Sequence, residues 1–327
     1  MKVTVVATVL NNEDTIRELV DSILHQSRKP DEIIVVDGGS KDNTLAVLED
    51  YEAKHEDFRA LSEKLNKAQG RNFGIEEARF PIIAQIDGSC VAHKHWLKRL
   101  VRPLKDQEVG VSAGFYRIVA KTAVARAVSP FIGVTSKMLD PRSYMPTGRS
   151  MAIRKKIWKD LHGYSEDLQW SGEDNLFNYK LLQKGIRIER VPEALVYWHA
   201  PKTFGESARK IFSYTAGISQ TGTWRHPCES LATVNTNIPA VYLKWALGML
   251  CFGLSFYSLF FLYVTTLGFT VYVFGSLWGK REEVTDQMAL MLVPVVQIIT
   301  DLSVIAGFAS GFVTPLRRHR RLHTVSS

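Results

Sequence analysis

Three short carboxylate clusters and one histidine supply the residue types from which a transfer reaction could be built. Asp37-Gly38-Gly39-Ser40-Lys41-Asp42-Asn43-Thr44 follows an apolar run and opens a helical pattern. Its two glycines permit a tight turn and close approach of a ligand to backbone, where a carboxylate can accept hydrogen bonds from a nucleobase or ribose. The same stretch also reads as an ordinary strand-to-helix turn, with Ser40 and Asp42 as helix caps. Asp87-Gly88-Ser89-Cys90 ends a second apolar run. A carboxylate there can help hold a divalent cation that neutralises a diphosphate leaving group, or it can belong to a solvated turn. Gly172-Glu173-Asp174 lies between an aromatic loop and another helical pattern. A carboxylate there can take a proton from an attacking hydroxyl, or it can complement the dipole of the helix that follows. His199 ends the strand-like run Val196-Tyr197-Trp198-His199, as a metal ligand or as a satisfied edge residue.

The elements that must position these residues alternate in type. Val3–Val9 is a β-branched run, and Glu32–Val36 and Ile82–Ile86 read as further buried strands. Helices are predicted over Thr15–His25, whose Ile16, Leu19, Val20, Ile23 and Leu24 share a face, over Thr44–Lys54, and over Lys67–Ala78. Apolar strands alternating with helices predict an α/β fold with a mostly parallel sheet covered on both faces. Such sheets bind ligands at the carboxyl ends of their strands, where Thr8, Asp37 and Asp87 all fall. From Trp96 to Ala200 the pattern is less regular, with helices predicted over Lys155–Leu161 and Asp174–Lys184.

Hydropathy divides the 327 residues unevenly. Charges are frequent up to residue 235, whereas Ala240 to Gly275 contains one, Lys244. Gly279–Gln287 is polar, and Met288–Leu316 is apolar again apart from Gln297 and Asp301. The pattern predicts a soluble domain over 1–235 and a membrane domain over 236–327 with two to three hydrophobic helices and a basic tail. Ala240–Trp278 would span roughly 58 Å as one helix. That length fits two spans joined by a tight turn, or one tilted span with an interfacial extension. Lys280-Arg281 and the tail Arg317-Arg318-His319-Arg320-Arg321 are both basic, so the positive-inside rule expects both in the cytosol. Met288–Leu316, broken by Pro294, is then expected to enter the membrane face without crossing. The first ten residues read as a buried strand rather than a signal peptide. Cys90, Cys228 and Cys251 show neither metal-ligand nor disulfide-framework spacing. These features place the soluble domain on the cytosolic side of the cell membrane. The net charge of +8 points to anionic lipid beside the membrane segment, not to nucleic acid, because no nucleic-acid-binding signature accompanies it.

Taken in order, NNEDTI at 11–16, SILHQS at 22–27, DEIIVVDGGSKDNT at 31–44, GRNFGI at 70–75, IDGSC at 86–90, TGRSMAIRKKIW at 147–158, GYSEDL at 163–168 and GEDNLFNYKLLQKGIRI at 172–188 resemble the family 2 glycosyltransferases, which have the GT-A fold. The resemblance implies a nucleotide-binding half over 1–95 and an acceptor half over 96–235. It also implies an inverting hexosyltransferase that moves a sugar from a nucleotide-sugar donor to a polyprenyl-linked glycan. A polyprenyl-phosphate sugar synthase and a non-catalytic nucleotide-sugar-binding scaffold are the alternatives. Position by position, it implies that Thr8 and Asp37, with Gly38, contact the nucleobase, and that Glu13 and Arg71 hold the nucleotide. Asp87 matches the first carboxylate of a DxD motif, and Asp174 with Glu173 matches the pair that supplies the base. His199 falls near the diphosphate, so a Mn²⁺ or Mg²⁺ ion would rest on Asp87, Ser89 and His199. Ser89 stands where the motif has its second Asp, and a hydroxyl is a weaker ligand for a hard cation. Arg149 is implied for a phosphate or acceptor group. Phe204–Gly217, with Arg209, Lys210 and Tyr214, reads as an interfacial helix guiding a lipid-linked acceptor toward Asp174.

Overall fold

The computed structural model describes residues 1–133, 144–225 and 237–314. Cys228 and the basic tail lie outside the described residues. The chain opens with three strand–helix units: β1 (Val3–Val9), α1 (Ile16–Leu24), β2 (Glu32–Asp37), α2 (Thr44–Glu52), β3 (Phe58–Ser62) and α3 (Lys67–Glu77). Then follow β4 (Ile82–Asp87), β5 (Cys90–Ala92), α4 (Trp96–Leu100), β6 (Val111–Val119), α5 (Ala123–Ile132), β7 (Met151–Arg154), α6 (Lys155–Asp160), α7 (Glu173–Gln183), β8 (Ile188–His199) and α8 (Phe204–Thr221). Three apolar helices close the described chain: α9 (Ile238–Leu254), α10 (Leu259–Lys280) and α11 (Gln287–Val313).

The eight strands form one sheet in the order β3-β2-β1-β4-β7-β6-β8-β5. β3, β2, β1 and β4 run parallel, and β7 runs antiparallel between β4 and β6. Both faces of the parallel strands are covered, as their unbroken apolar sequences require. Val3, Val5, Ala7 and Val9 of β1 pack in one cluster with α1, while Val6, Ile34, Val36 and Ile83 face the other with α3 and α7. The register sets Thr8 opposite Asp87 and Val9 opposite Asp37, so two carboxylates flank the carboxyl end of the central strand.

The three predicted N-terminal strands and their helices form close to their expected bounds. The break expected at Pro294 is corrected: α11 runs unbroken through it. A proline near the start of a long apolar helix costs one hydrogen bond, which neighbouring packing can offset. The helices long and apolar enough to cross a membrane are α10 and α11. α9, at 17 residues, is shorter. α10 leaves most of its surface, including Phe260, Tyr263, Phe274 and Trp278, outside any packing. α11 instead packs along α8 and α5. Asp301 of α11 is fully buried and accepts hydrogen bonds from Lys244, Trp245, Tyr272 and Gln297, which joins the three apolar helices at one carboxylate.

α8 covers the stretch Phe204–Gly217 and continues to Thr221. Its second half, from Thr215 to Thr221, is buried between α11 and the loop before α7. Small residues permit this. A Cβ on Gly307 or Gly311 would overlap α8, and a Cβ on Gly217 would overlap the Ser171 carbonyl oxygen. Gly205, on the same helix, has open space around it. Gly217→Ala should therefore destabilise the protein by about 1–3 kcal/mol, whereas Gly205→Ala should be neutral or stabilise by up to about 1 kcal/mol. Thermal unfolding of the purified protein in detergent checks both, and equal effects would show that the close approach is not rigid.

Candidate active site

α3 begins with a capping box in which Asn66 and Gln69 exchange hydrogen bonds, and this fixes the start of the helix beneath the ends of β1 and β4. Lys67 and Arg71 follow one helical turn apart. The Lys67 ammonium lies 3.1 Å from one oxygen of Asp87, and the Arg71 guanidinium lies 2.8 Å from the other. Arg71 also reaches Glu173 at 2.6 Å, so it bridges the end of β4 and the start of α7. The guanidinium is packed under Gly148, where a Cβ would overlap it, and faces the Tyr164 ring at 5.4 Å. Gly172 precedes the acidic pair with φ 140°, a conformation that favours glycine, and its N–H donates to Glu173.

The carboxylates at this junction are held in different states. Burial works against ionisation of Asp87, but Lys67 and Arg71 outweigh it and hold the carboxyl well below the usual range. Glu173 is likewise lowered, with burial opposed by Arg71 and Lys67. Asp174 is shifted the other way, raised by burial and then by the charge of Glu173. Two adjacent carboxyls with opposite shifts are a common arrangement where one orients and the other exchanges a proton.

Asp87 and Lys67 border a cleft of about 800 Å³ lined also by Thr8, Glu13, Gly38, Ser89, Arg149, His199 and Arg209, together with Trp198, Lys210 and Tyr214, while Arg71, Glu173 and Asp174 lie behind this lining. The Thr8 hydroxyl is buried without a hydrogen-bond partner among the described residues. Glu13 receives the backbone N–H and side-chain amide of Asn43, each at 3.1 Å, across the start of α2. Asp37 is fully buried, and its oxygens accept from the N–H groups of Gly39 and Ser40 and the hydroxyls of Ser40 and Ser62. That carboxylate locks the turn whose Gly38 lines the cleft.

On the opposite wall, Trp198 of β8 donates its indole N–H to Ser89 Oγ at 3.1 Å. Arg149 lies 4.2 Å and Lys210 lies 4.4 Å from the centre of its ring. Arg149 also donates to the Tyr214 hydroxyl at 2.7 Å. Burial, and then Arg149 and Lys67, push the Lys210 ammonium down to about 7. Lys67, Trp198 and Tyr164 were not among the expected site residues. A strand-end tryptophan and a lysine one turn before an arginine are too common in sequence to mark a site.

The side chains expected to hold a metal do not form a ligand set. Both oxygens of Asp87 face cations, Ser89 accepts from Trp198, and His199 Nε2 lies 3.1 Å from Glu18 on the surface. Among the described residues, no three His, Cys, Asp or Glu side chains converge as a metal site would require.

Residues 4–163 match the protein family described as Glycosyl transferase family 2. The chain is similar to the glycosyltransferase AglE of Haloferax volcanii, at 23% identity over 67% of this chain and 73% of that one. It is similar to the poly-beta-1,6-N-acetyl-D-glucosamine synthase of Staphylococcus epidermidis, at 24% identity over 60% of this chain. The match covers about half of that synthase, 49% of its length. Among solved structures, the mannosyltransferase PcManGT of Pyrobaculum calidifontis, in complex with GDP-Man and Mn²⁺, superposes with a TM-score of 0.57 at 17% identity, covering 93% of this chain and 87% of that one.

The buried bridge yields a stability prediction. Arg71→Met would leave Asp87 and Glu173 buried without their shared partner and should cost about 3–5 kcal/mol at neutral pH. Carboxylates with lowered folded-state pKa stabilise the fold above the ordinary range near about pH 4, and that contribution is lost as pH falls. The gap between wild type and Arg71→Met should therefore narrow in acid, as measured by denaturant unfolding at a series of pH values. A gap independent of pH would mean that the loss comes from packing.

Proposed function

Because the chain carries a family 2 glycosyltransferase domain on a GT-A-like α/β fold, related to polysaccharide-synthesis enzymes, we propose that it transfers a sugar from a nucleoside-diphosphate donor to a hydroxyl of a lipid-linked glycan, with inversion at the anomeric carbon. The observation that carries this reading is the bridge Asp87–Arg71–Glu173, which joins the donor-side strand end to the acidic pair. It neutralises two carboxylates and leaves Asp174, the residue after Glu173, without an ion pair among the described residues. In this reading Thr8, Glu13 and the Asp37-Gly38 turn form the nucleoside end of the cleft, and Arg149 and Arg209 meet phosphate or acceptor groups.

The acceptor oxygen attacks the anomeric carbon from the face opposite the diphosphate. The bond from that carbon to the phosphate oxygen breaks with its electron pair passing to the oxygen, and Asp174 takes the acceptor's proton. A carboxyl raised above its usual pKa is a stronger base, which suits this role. Burial and the charge of Glu173 raise Asp174, and they outweigh the opposing charge of Arg71. The structural neighbour holds Mn²⁺ with GDP-Man. An ion bound here would depend chiefly on the donor's own diphosphate, because both oxygens of Asp87 face Lys67 and Arg71.

The membrane reading completes the proposal, with catalytic residues in 1–235 and the apolar helices in 236–327. The apolar surface of α10 suits lipid. Its Lys280 end returns to the catalytic domain, where Lys280 lies 5.2 Å from the Phe131 ring and Arg126 lies 3.5 Å from Asp286. A hairpin of α9 and α10 would then keep Lys280 and Arg281 on the cytosolic side with the catalytic domain.

Asp174→Asn should reduce transfer by about 10²–10⁴-fold while donor binding is retained. Radiolabelled nucleotide-sugars supplied to membranes, followed by lipid extraction, measure the first, and equilibrium binding of nucleoside diphosphates measures the second. Equal loss of both would make Asp174 a structural cap. In wild type, transfer should fall as pH drops through the raised pKa of Asp174, because the protonated acid cannot accept a proton. For the topology, a cysteine at position 281 on a cysteine-free background should resist impermeant reagents in intact cells. Labelling from outside would reverse the orientation.

A further inference from the structure

The cleft holds more positive charge than its own carboxylates balance. Lys67 and Arg71 are paired with Asp87 and Glu173. Arg149 and Lys210 make no ion pair among the described residues, yet both sit against the same buried indole, that of Trp198. Arg149 Nε is buried and lacks a hydrogen-bond partner among the described residues. Burial and the neighbouring Arg149 already push the Lys210 ammonium down to about 7, and contact with an aromatic face returns only about 0.5–2 kcal/mol for each cation. Desolvating an unpaired charge costs more than that. A pair of cations arranged this way is stable when an anion completes it.

Position 89 tells where that anion lies. The Ser89 hydroxyl is held on the N–H edge of the indole whose ring carries Arg149 and Lys210. A carboxylate at this position would stand beside those cations and compete for them, and a serine leaves them free. Lys67, half-exposed on the cleft side of Asp87, adds a third donor directed at the same space. Guanidinium and ammonium groups are the usual side-chain partners of phosphate oxygens.

We propose that Arg149, Lys210 and Lys67 hold the donor's diphosphate directly, in place of a divalent cation, so that donor binding does not require metal. The inference rests on the nucleotide-sugar reading above and adds to it the means by which the diphosphate charge is met. Ser89 is then part of the design of the site, since it keeps the two indole-bound cations available.

The test is equilibrium binding of UDP, GDP, ADP and CDP to the full chain in detergent, in excess EDTA and then in excess Mn²⁺. At least one nucleotide should bind in EDTA with an affinity within about threefold of that in Mn²⁺, a coupling near zero between metal and nucleotide. Lys210→Met should weaken binding in EDTA by about 10- to 100-fold, the loss of one charged hydrogen bond, while Lys210→Arg should retain most of it. Thermal unfolding of both variants near the wild-type midpoint establishes that the fold is intact. Binding that appears only with Mn²⁺ overturns the inference and leaves the transferase reading standing. Unchanged affinity in Lys210→Met also overturns it. If no nucleoside diphosphate binds under either condition to folded protein, the inference falls together with the donor reading.

Discussion

Arg71 joins two carboxylates that reach it from different parts of the chain, Asp87 at the end of β4 and Glu173 at the start of α7. Each would be costly to bury alone, and the desolvation of an ion in a protein interior amounts to several kcal/mol. The bridge therefore makes the two halves of the catalytic region interdependent. The donor-side strand end is satisfied only when α7 is in place, and the reverse holds equally. The position of Asp174 follows from this, because it is the next residue on a helix whose first turn is fixed by Arg71.

The same constraint sorts the charges of the cleft by function. Asp87 and Glu173 are neutralised within the protein by Arg71 and Lys67, whereas Arg149 and Lys210 make no ion pair among the described residues. Asp174 is the carboxyl that burial and a charged neighbour make most basic. A site in which some charges are internally paired and others are held ready is preorganised: it need not rearrange when charge develops on a leaving group.

Helix α8 links this site to the apolar helices. Its Lys210 and Tyr214 face the cleft, and Thr215 to Thr221 are buried, in close approach to Gly307 and Gly311 of α11. Asp301 on α11 then gathers α9 and α10 through Lys244, Trp245 and Tyr272. A continuous path of packed backbone and hydrogen bonds thus runs from the surface of α10 to the Lys210 side of the cleft. In an enzyme with a lipid-linked acceptor, such a path would hold the cleft at a fixed height relative to the bilayer.

The early strand–helix alternation was legible in sequence because apolar strands and one-sided helices carry their own periodicity. The ends of those strands, with Thr8, Asp37 and Asp87, were legible for the same reason. The apolar character of the last third needed nothing beyond composition. The strands from Val111 to His199 were not legible as a sheet, because β6, β7 and β8 pair across long separations and their order depends on contacts that no local pattern records. The burial of α8 depends on glycines whose meaning appears only when a neighbouring helix is present, and no local pattern records that α11 continues through Pro294. Sequence likewise named Asp87, Glu173, Asp174, Arg71 and Arg149 as separate candidates without saying which were paired. Pairing is a property of distance. It was the tertiary structure that set Asp37 to lock its own turn, Arg71 to bridge two carboxylates, and Arg149 with Lys210 against one indole without an ion pair among the described residues.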